Sequence, residues 1–422
     1  MEIEIKKKEG IDAEFIAPPS KSHTHRALIA SSLADGDSLI HGPLLSDDIM
    51  VTVASLKEMG VVIERNSEGF AIDGCGGALN CERGCVLDMR DSGTSMRFFS
   101  ALALLGRGHV TITGSRRLRE RPLGPLAKAL GMLGGEVVWL EREGYAPLRI
   151  SGSLEGGTAV ISASESSQYI SAILLVAPCA RRDVTLTCEG RIVSRPYIDV
   201  TLEIMRLFGA DVQREGYSVF GVRSGRNYRG REYRVEGDYS SAGYFLAIGA
   251  VCGGRVRVRN LLPESRQADA ILLGAFERMG CRISSGPEGV VLESSGTLDG
   301  IEIDMSDAPD AVQTLSMVAA FATTPSTIRG IRHLRWKESD RVEAITDVLV
   351  RAGASVKADE DSLTIWPSKL HGAEIDPKGD HRTAMSATIL GLGTGGFMIR
   401  NAECVSKSFP GFWRVLEGAG LL

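Results

Sequence analysis

The chain runs to 422 residues, 43% of them hydrophobic and 24% charged, with a formal net charge of −5. That composition belongs to a folded globular protein and excludes a chain dominated by disorder; with no basic tail, a nucleic-acid partner is disfavoured, so an anionic ligand must be met by local Lys and Arg. Eight cysteines lie scattered without a CxxC pair, which reads as reduced thiols rather than a disulfide framework or a zinc site. No run approaches the ~20 apolar residues of a membrane span, and the N-terminal stretch lacks the apolar core of a signal peptide, so a cytoplasmic protein is expected.

A first strand is predicted at residues 2–6, and a helix opens near Ser22. From there the chain repeats itself. A long side chain, three spacers and a glycine recur at Leu56/Gly60, Leu130/Gly134, Met205/Gly209, Phe276/Gly280, Leu349/Gly353 and Leu416/Gly420. They stand about 70 residues apart, and a period of this length decides the architecture before any local reading does. Between those glycines lies a second series, of apolar helices that open on small, polar or charged residues near Ser22, Ser92, Ser166, Ser240, Asp310 and His381. Helix N-termini gathered in one region make an anion site, because free backbone N–H groups and the helix dipole both favour negative charge there.

The repeat around Ser92 shows the grammar. Residues 85–89 are predicted as a short strand, and Ser92-Gly93-Thr94-Ser95 caps a helix running through Phe98, Leu102 and Leu105. Arg107-Gly108-His109 reads as a turn, and residues 110–114 alternate as a strand. After Arg121-Pro122 a second helix is predicted over 123–133, with the proline where its missing N–H does no harm. Gly134-Gly135 ends it, and a strand begins at Glu136. The same order reappears around residues 166–212, 240–283, 310–356 and, shortened, 381–422. Six such units predict an α/β protein of two domains with three repeats each. The crossings are expected near Pro18 to Lys21 and Tyr233 to Asp238. That places the first domain at 21–237 and a second, discontinuous one at 1–20 and 238–422, with residues 2–6 completing the shortened last repeat and the two connections forming a hinge.

Several helix starts carry chemistry. Lys21, Ser22 and Arg26 stand at one of them, with Ser22 and Arg26 a turn apart on one face. Ammonium, hydroxyl and guanidinium together suit a phosphate or carboxylate, although alone they also read as a capped helix with two solvated charges. His23 and His25 resemble a metal pair, but no third ligand accompanies them. Gly93 lets a ligand approach the backbone closely. Arg116, Arg117, Arg119 and Arg121 crowd the stretch before Pro122, where Arg121 is placed to face a site. Ser166, Ser167 and Gln168 put more hydrogen-bonding groups ahead of a helix than capping needs, and Ser194 and Tyr197 repeat that pattern. The C-terminal half supplies titratable groups: Asp310, Lys337-Glu338-Ser339-Asp340-Arg341, Asp380-His381-Arg382 and Lys407-Ser408-Phe409-Pro410, each at or before a helix start. Surface ion pairs explain any one of these. They do not explain Lys21, Arg26, Arg121, Lys337, Arg341, Arg382 and Lys407 at equivalent places in different repeats, which predicts ligands with several negative charges.

Taken in order, Lys21-Ser22-x-x-x-Arg26, Ser92-Gly93-Thr94-x-x-Arg97, Arg121-Pro122, Ser166-Ser167-Gln168, Lys337-Glu338-Ser339-Asp340-Arg341, Asp380-His381-Arg382 and Lys407-Ser408-Phe409-Pro410 resemble the motifs of the 5-enolpyruvylshikimate-3-phosphate (EPSP) synthase family. The resemblance spans nearly the whole chain. It implies a two-domain inside-out β/α barrel of six β/α repeats, with the active site in the interdomain cleft. The implied reaction moves the enolpyruvyl group of phosphoenolpyruvate to the 5-hydroxyl of shikimate 3-phosphate by addition and elimination. Its products are 5-enolpyruvylshikimate 3-phosphate and phosphate, a step toward chorismate and the aromatic amino acids. No metal or other cofactor, nucleic acid or membrane is implied, and a monomer is expected.

Carried over position by position, the resemblance gives shikimate 3-phosphate to Lys21, Ser22, Arg26, Ser166, Ser167, Gln168, Ser194, Tyr197, Asp310 and Lys337. It gives phosphoenolpyruvate to Lys21, Gly93, Arg121, Gln168, Arg341, Arg382 and Lys407. The implied catalytic groups are Asp310, Glu338 and Lys21: Asp310 takes the hydroxyl proton, and Glu338 or a lysine protonates the methylene carbon. Closure about the hinge would exclude water. The chain departs from the family at Asp91 and often at His333, where Asn is common, and at Pro19, where Gly is common. Asp91 adds a negative charge that an arginine such as Arg97 would have to offset, and His333 alters one contact to the shikimate phosphate. A related enolpyruvyltransferase acting on UDP-N-acetylglucosamine is the rival reading. Its reactive cysteine would fall at Arg116, and no cysteine lies between Cys85 and Cys179. RNA 3′-phosphate cyclase, a more distant β/α-repeat relative, would need a catalytic His motif near the C-terminus that the chain lacks.

Overall fold

Leu56 and Gly60 show what the repeating pattern builds. Helix Asp47–Glu58 ends there, Gly60 takes a φ of +89°, and bonds from Gly60 N–H to Lys57 O and from Val61 N–H to Leu56 O close a Schellman turn. The other five glycines have φ between +69° and +106°. The outer bond of the turn recurs from Ala210 to Met205, Cys281 to Phe276, Ala354 to Leu349 and Leu421 to Leu416. The long side chain four positions before the glycine is fully buried in every copy. Two requirements, a left-handed backbone and an apolar plug, thus keep the pattern while the spacers vary.

The computed structural model describes residues 1–225 and 227–422. The chain divides into a continuous unit, Pro19–Val235, and a discontinuous one, Met1–Pro18 with Glu236–Leu422. Each repeat runs strand, helix, strand, helix, strand, strand. In one, strand Leu79–Asp88 leads through helix Gly93–Leu102 to strand Gly106–Thr113, which lies parallel to it. Helix Gly124–Met132 follows, and strands Gly135–Trp139 and Leu148–Gly152 then add an antiparallel hairpin. The sheet order is first, second, fourth, third, and the other four-stranded sheets repeat it. Two repeats take their first strand from a distant part of the chain. Glu232–Arg234 lies parallel to Ser38–His41, and Ile11–Ile16 lies parallel to Gly254–Arg259. The shortened last repeat pairs Glu374–Ile375 with Phe397–Ile399, and Ile3–Ile5 completes that sheet antiparallel to Phe397–Ile399.

The two helices of a repeat differ in kind. One is buried along its length, as Tyr239–Cys252 is with all 14 residues buried; a helix apolar all round belongs inside a core. The other covers a sheet, as Arg341–Arg351 does with Val342, Ile345, Val348 and Leu349 inward. Strand Gly254–Arg259 alternates in the same spirit: Val256 and Val258 are fully buried, while Arg255, Arg257 and Arg259 pair outward with Asp12, Glu14, Glu288 and Glu293.

Local expectations around Ser92 need correction. The first strand starts at Leu79 rather than Cys85, because Gly84, at a φ of +75°, sits in a register shift between Cys81 and Cys85 that lets pairing continue. Arg107, Gly108 and His109 lie inside strand Gly106–Thr113 rather than forming a turn, since Arg107 and Gly108 pair with Asn80 and Cys81 of that longer partner and His109 stands opposite its register shift. The second helix is Gly124–Met132 with Pro125, not Pro122, in its first turn, and a one-turn helix, Arg116–Arg119, stands in the arginine run. All eight cysteines are free thiols. Among the described residues no helix is long and apolar enough to cross a membrane.

Candidate active site

In the continuous unit, helix Lys21–Ser32 brings Lys21 within 2.8 Å of Asp48, a nearly buried carboxylate in the first turn of helix Asp47–Glu58. Arg26 lies beneath, 2% exposed, and donates four hydrogen bonds to neutral groups. Nε donates to Thr201 Oγ1 at 2.7 Å, Nη1 to Ser22 O at 2.9 Å, and Nη2 to Tyr197 O at 3.1 Å and Ser171 Oγ at 3.4 Å. Burial lowers its pKa to about 10, which still leaves it charged at neutral pH. This guanidinium ties together the backbone at Ser22 and Tyr197, two predicted ligand contacts on different helices.

Gly93 and Arg121 meet face to face. A Cβ at Gly93 would fall 2.3 Å from Arg121 Nη1, so any larger residue would push the guanidinium from this place. Arg97 braces the same turn by donating to Gly93 O and Pro122 O, and the Tyr169 hydroxyl donates to Pro122 O at 2.7 Å. Gln168 Nε2 donates to Thr94 Oγ1 at 3.0 Å, and Ser166 Oγ accepts from Gln168 N–H at 3.2 Å. Ser167 and Ser194 are buried, and Ser194 holds a left-handed φ of +57° at the entrance to helix Pro196–Leu207. Asp91 is exposed and accepts from Ser115 Oγ at 2.5 Å. His25, fully buried and bonded to Thr52 at 2.8 Å, has its pKa lowered by burial to about 3 and is neutral.

The discontinuous unit gathers the opposite charges. Helices Tyr239–Cys252, Val312–Ala319 and His381–Thr394 pack together, and Asp310 precedes the second of them. Asp310 Oδ1 accepts from Arg341 Nη1 at 2.8 Å and Oδ2 from Arg382 Nη2 at 2.9 Å. Burial alone would push the Asp310 carboxyl up, but Arg382, Arg341 and Lys337 outweigh it and hold the group well below the usual carboxylate range. Arg341, 1% exposed, also donates to Glu338 at 2.8 Å and to Asp380 at 3.1 Å. Burial works against its charge, yet Asp380, Glu338 and Asp310 prevail and raise its pKa. Arg382 Nη1 turns instead to the Ser240 and Tyr244 hydroxyls. Lys407 is buried at the end of the short helix Ala402–Lys407.

The structure therefore brings Asp310, Glu338, Arg341 and Arg382 into one cluster, with Lys337 close enough to act on Asp310. In the other unit it joins Gly93 with Arg121, and Ser22 with Arg26 and Tyr197. Sequence reasoning missed Asp48, Asp380, Ser240 and Tyr244 as partners of these groups. The available signal was Asp47-Asp48 opening a helix, and Asp380 standing in a motif read only for Arg382. Among the described residues no group of three or more His, Cys, Asp or Glu is placed to hold a metal ion.

The model of the EPSP synthase (3-phosphoshikimate 1-carboxyvinyltransferase) family matches residues 5–416. The chain is 53% identical over 412 residues to the 3-phosphoshikimate 1-carboxyvinyltransferase of Methanoculleus marisnigri, with 98% of each covered. It is 39% identical over 400 residues to that of Yersinia pestis, covering 94% of this chain and 93% of that one. Among solved structures it resembles EPSP synthase from Acinetobacter baumannii, with a TM-score of 0.82, 29% identity and coverage of 100% and 98%. The enolpyruvyl transferase NikO of Streptomyces tendae shares the fold at a TM-score of 0.77 and 16% identity, over 99% of this chain and 97% of that one.

Proposed function

This chain belongs to the EPSP synthase family, and we propose that its residues divide the transfer of enolpyruvyl from phosphoenolpyruvate to the 5-hydroxyl of shikimate 3-phosphate as follows. Lys21, Ser22, Ser166, Ser167, Gln168, Ser194 and Tyr197 hold shikimate 3-phosphate, with Arg26 locking the Ser22 and Tyr197 backbone from beneath and Asp310 and Lys337 completing the set. Lys21, Gly93, Arg121, Gln168, Arg341, Arg382 and Lys407 hold phosphoenolpyruvate. The observation that supports this division most is the cluster of Asp310, Glu338, Arg341 and Arg382, where two buried guanidiniums meet partly exposed carboxylates. Preorganised cations of that kind offset the repulsion between two anionic substrates and align them.

Asp310 enters the reaction ionised, because two guanidiniums favour its anion. The same pairing makes it a weak base at rest. It orients the 5-hydroxyl and accepts its proton as the new C–O bond forms and the oxygen becomes acidic. Glu338 or Lys21 delivers a proton to the methylene carbon, and the roles reverse when phosphate leaves. The location proposed for this activity is the cytoplasm, and the chain is proposed to act as a monomer. Phosphate release measured with each acceptor tests the reading: release from phosphoenolpyruvate with shikimate 3-phosphate supports it, and release only with UDP-N-acetylglucosamine overturns it.

A further inference from the structure

Arg341 and Arg382 are held in different ways. Arg341 faces three carboxylates, those of Asp310, Glu338 and Asp380. Arg382 has its Nη2 on Asp310 Oδ2 at 2.9 Å, while Nη1 donates to neutral oxygens: Ser240 Oγ, the Tyr244 hydroxyl at 3.2 Å and Asp310 O at 3.4 Å. Ser240 and Tyr244 stand one turn apart on helix Tyr239–Cys252, so they present two oxygens from one face. A hydroxyl fixes the plane of a guanidinium without cancelling its charge, whereas another carboxylate would do both. For a cation that must still attract an anion, that difference matters.

The Tyr244 hydroxyl is itself held in place. The residue is fully buried, and its ring meets Phe412 edge-on at 5.9 Å. Phe412 in turn packs on Phe409 at 5.7 Å, and Phe245, the next residue of the same helix, meets Phe409 at 5.9 Å. Burial pushes the Tyr244 phenol up to about 12, against the pull of Arg382, so it is neutral at neutral pH.

We propose that Ser240 and Tyr244 are positioning residues that hold the Arg382 guanidinium in the plane in which it meets the phosphoenolpyruvate anion. This rests on the assignment of Arg382 to phosphoenolpyruvate. The test is steady-state kinetics of the full chain carrying Tyr244→Phe, Ser240→Ala and Arg382→Lys, singly and with each hydroxyl variant combined with Arg382→Lys. Tyr244→Phe keeps the ring against Phe412 and removes one oxygen. It is expected to raise KM for phosphoenolpyruvate about tenfold, the scale of one hydrogen bond to a charged group, while kcat and KM for shikimate 3-phosphate change by less than about twofold. In the Arg382→Lys background the same change should have almost no further effect, since the fork it aligned is gone. Should Tyr244→Phe not accumulate as folded protein, Ser240→Ala reads the same split. Equal rises in both KM values, or effects that multiply with that of Arg382→Lys, overturn the positioning role. An Arg382→Lys enzyme with an unchanged KM for phosphoenolpyruvate overturns the assignment of Arg382, and the proposal with it.

Discussion

Arg341 is a buried cation inside a cage of anions, and its value lies in what its loss would strand. Without it, Asp380 at 0% exposure is left with Ser339 Oγ, the Arg382 N–H and, at 3.9 Å, the His381 ring, while Asp310 and Glu338 lose a partner each. Arg341→Gln should therefore cost about 3–5 kcal/mol of stability, read by urea denaturation, because uncompensated buried charge is expensive. A loss under about 1 kcal/mol would contradict the cage. Gly93→Ala acts by crowding: the new methyl meets the Arg121 guanidinium, so KM for phosphoenolpyruvate should rise several-fold while that for shikimate 3-phosphate holds. An unchanged KM for phosphoenolpyruvate would remove Arg121 from that subsite.

His25 carries the pH dependence. Its folded pKa, about 3, lies below the ordinary 6.5 because burial disfavours the cation, so the unfolded chain binds a proton first as pH falls. Its contribution is complete above about pH 6.5 and is lost progressively toward pH 3. At pH 5 the loss is about 2 kcal/mol relative to pH 7.5. Replacement by Gln should flatten that slope, and an equal acid slope in His25→Gln and the parent would contradict it. At this scale the cations and carboxylates of the candidate site were legible, because charged residues at successive helix starts stand out from an apolar background. Their partners were not. Asp48 reaches Lys21 across 27 positions and Ser240 reaches Arg382 across 142, so no local spacing joins them.

A helix end explains the most visible regularity of the chain. Gly353 has a φ of +86°, and a Cβ there would stand 2.8 Å from the His371 ring, so Gly353→Ala should destabilise by more than about 1 kcal/mol. Gly274 gives the opposite expectation. It lies within helix Ile271–Arg278 with nothing within 4 Å of its would-be Cβ, and Gly274→Ala should stabilise by about 0.5–1 kcal/mol. Thermal denaturation of the pair decides whether backbone sign or mere glycine content matters; a shift in the same direction for both would contradict the account. Helix ends were readable because a Schellman turn is written within six residues. The stretch at Arg107, Gly108 and His109 was misread because its strand character comes from a partner that continues past Gly84.

At the scale of the molecule, six copies of one strand-and-helix unit are distinguished by the side chain that stands at each buried helix's start. The repeat was legible because its signals are local and return at a fixed period. The sharing of first strands was not, since Glu232–Arg234 beside Ser38–His41 and Ile11–Ile16 beside Gly254–Arg259 join distant parts of the chain. Neither strand carries a mark of its partner beyond alternation. Proteins of one fold differ in their acceptors, so identity of architecture leaves the reaction to be shown by the chemistry itself. The most direct measurement is phosphate release from phosphoenolpyruvate by the purified chain, with no acceptor, with shikimate 3-phosphate and with UDP-N-acetylglucosamine. The account predicts release with shikimate 3-phosphate alone, in step with the appearance of its enolpyruvyl ether. Release with UDP-N-acetylglucosamine, or none with shikimate 3-phosphate, would contradict it.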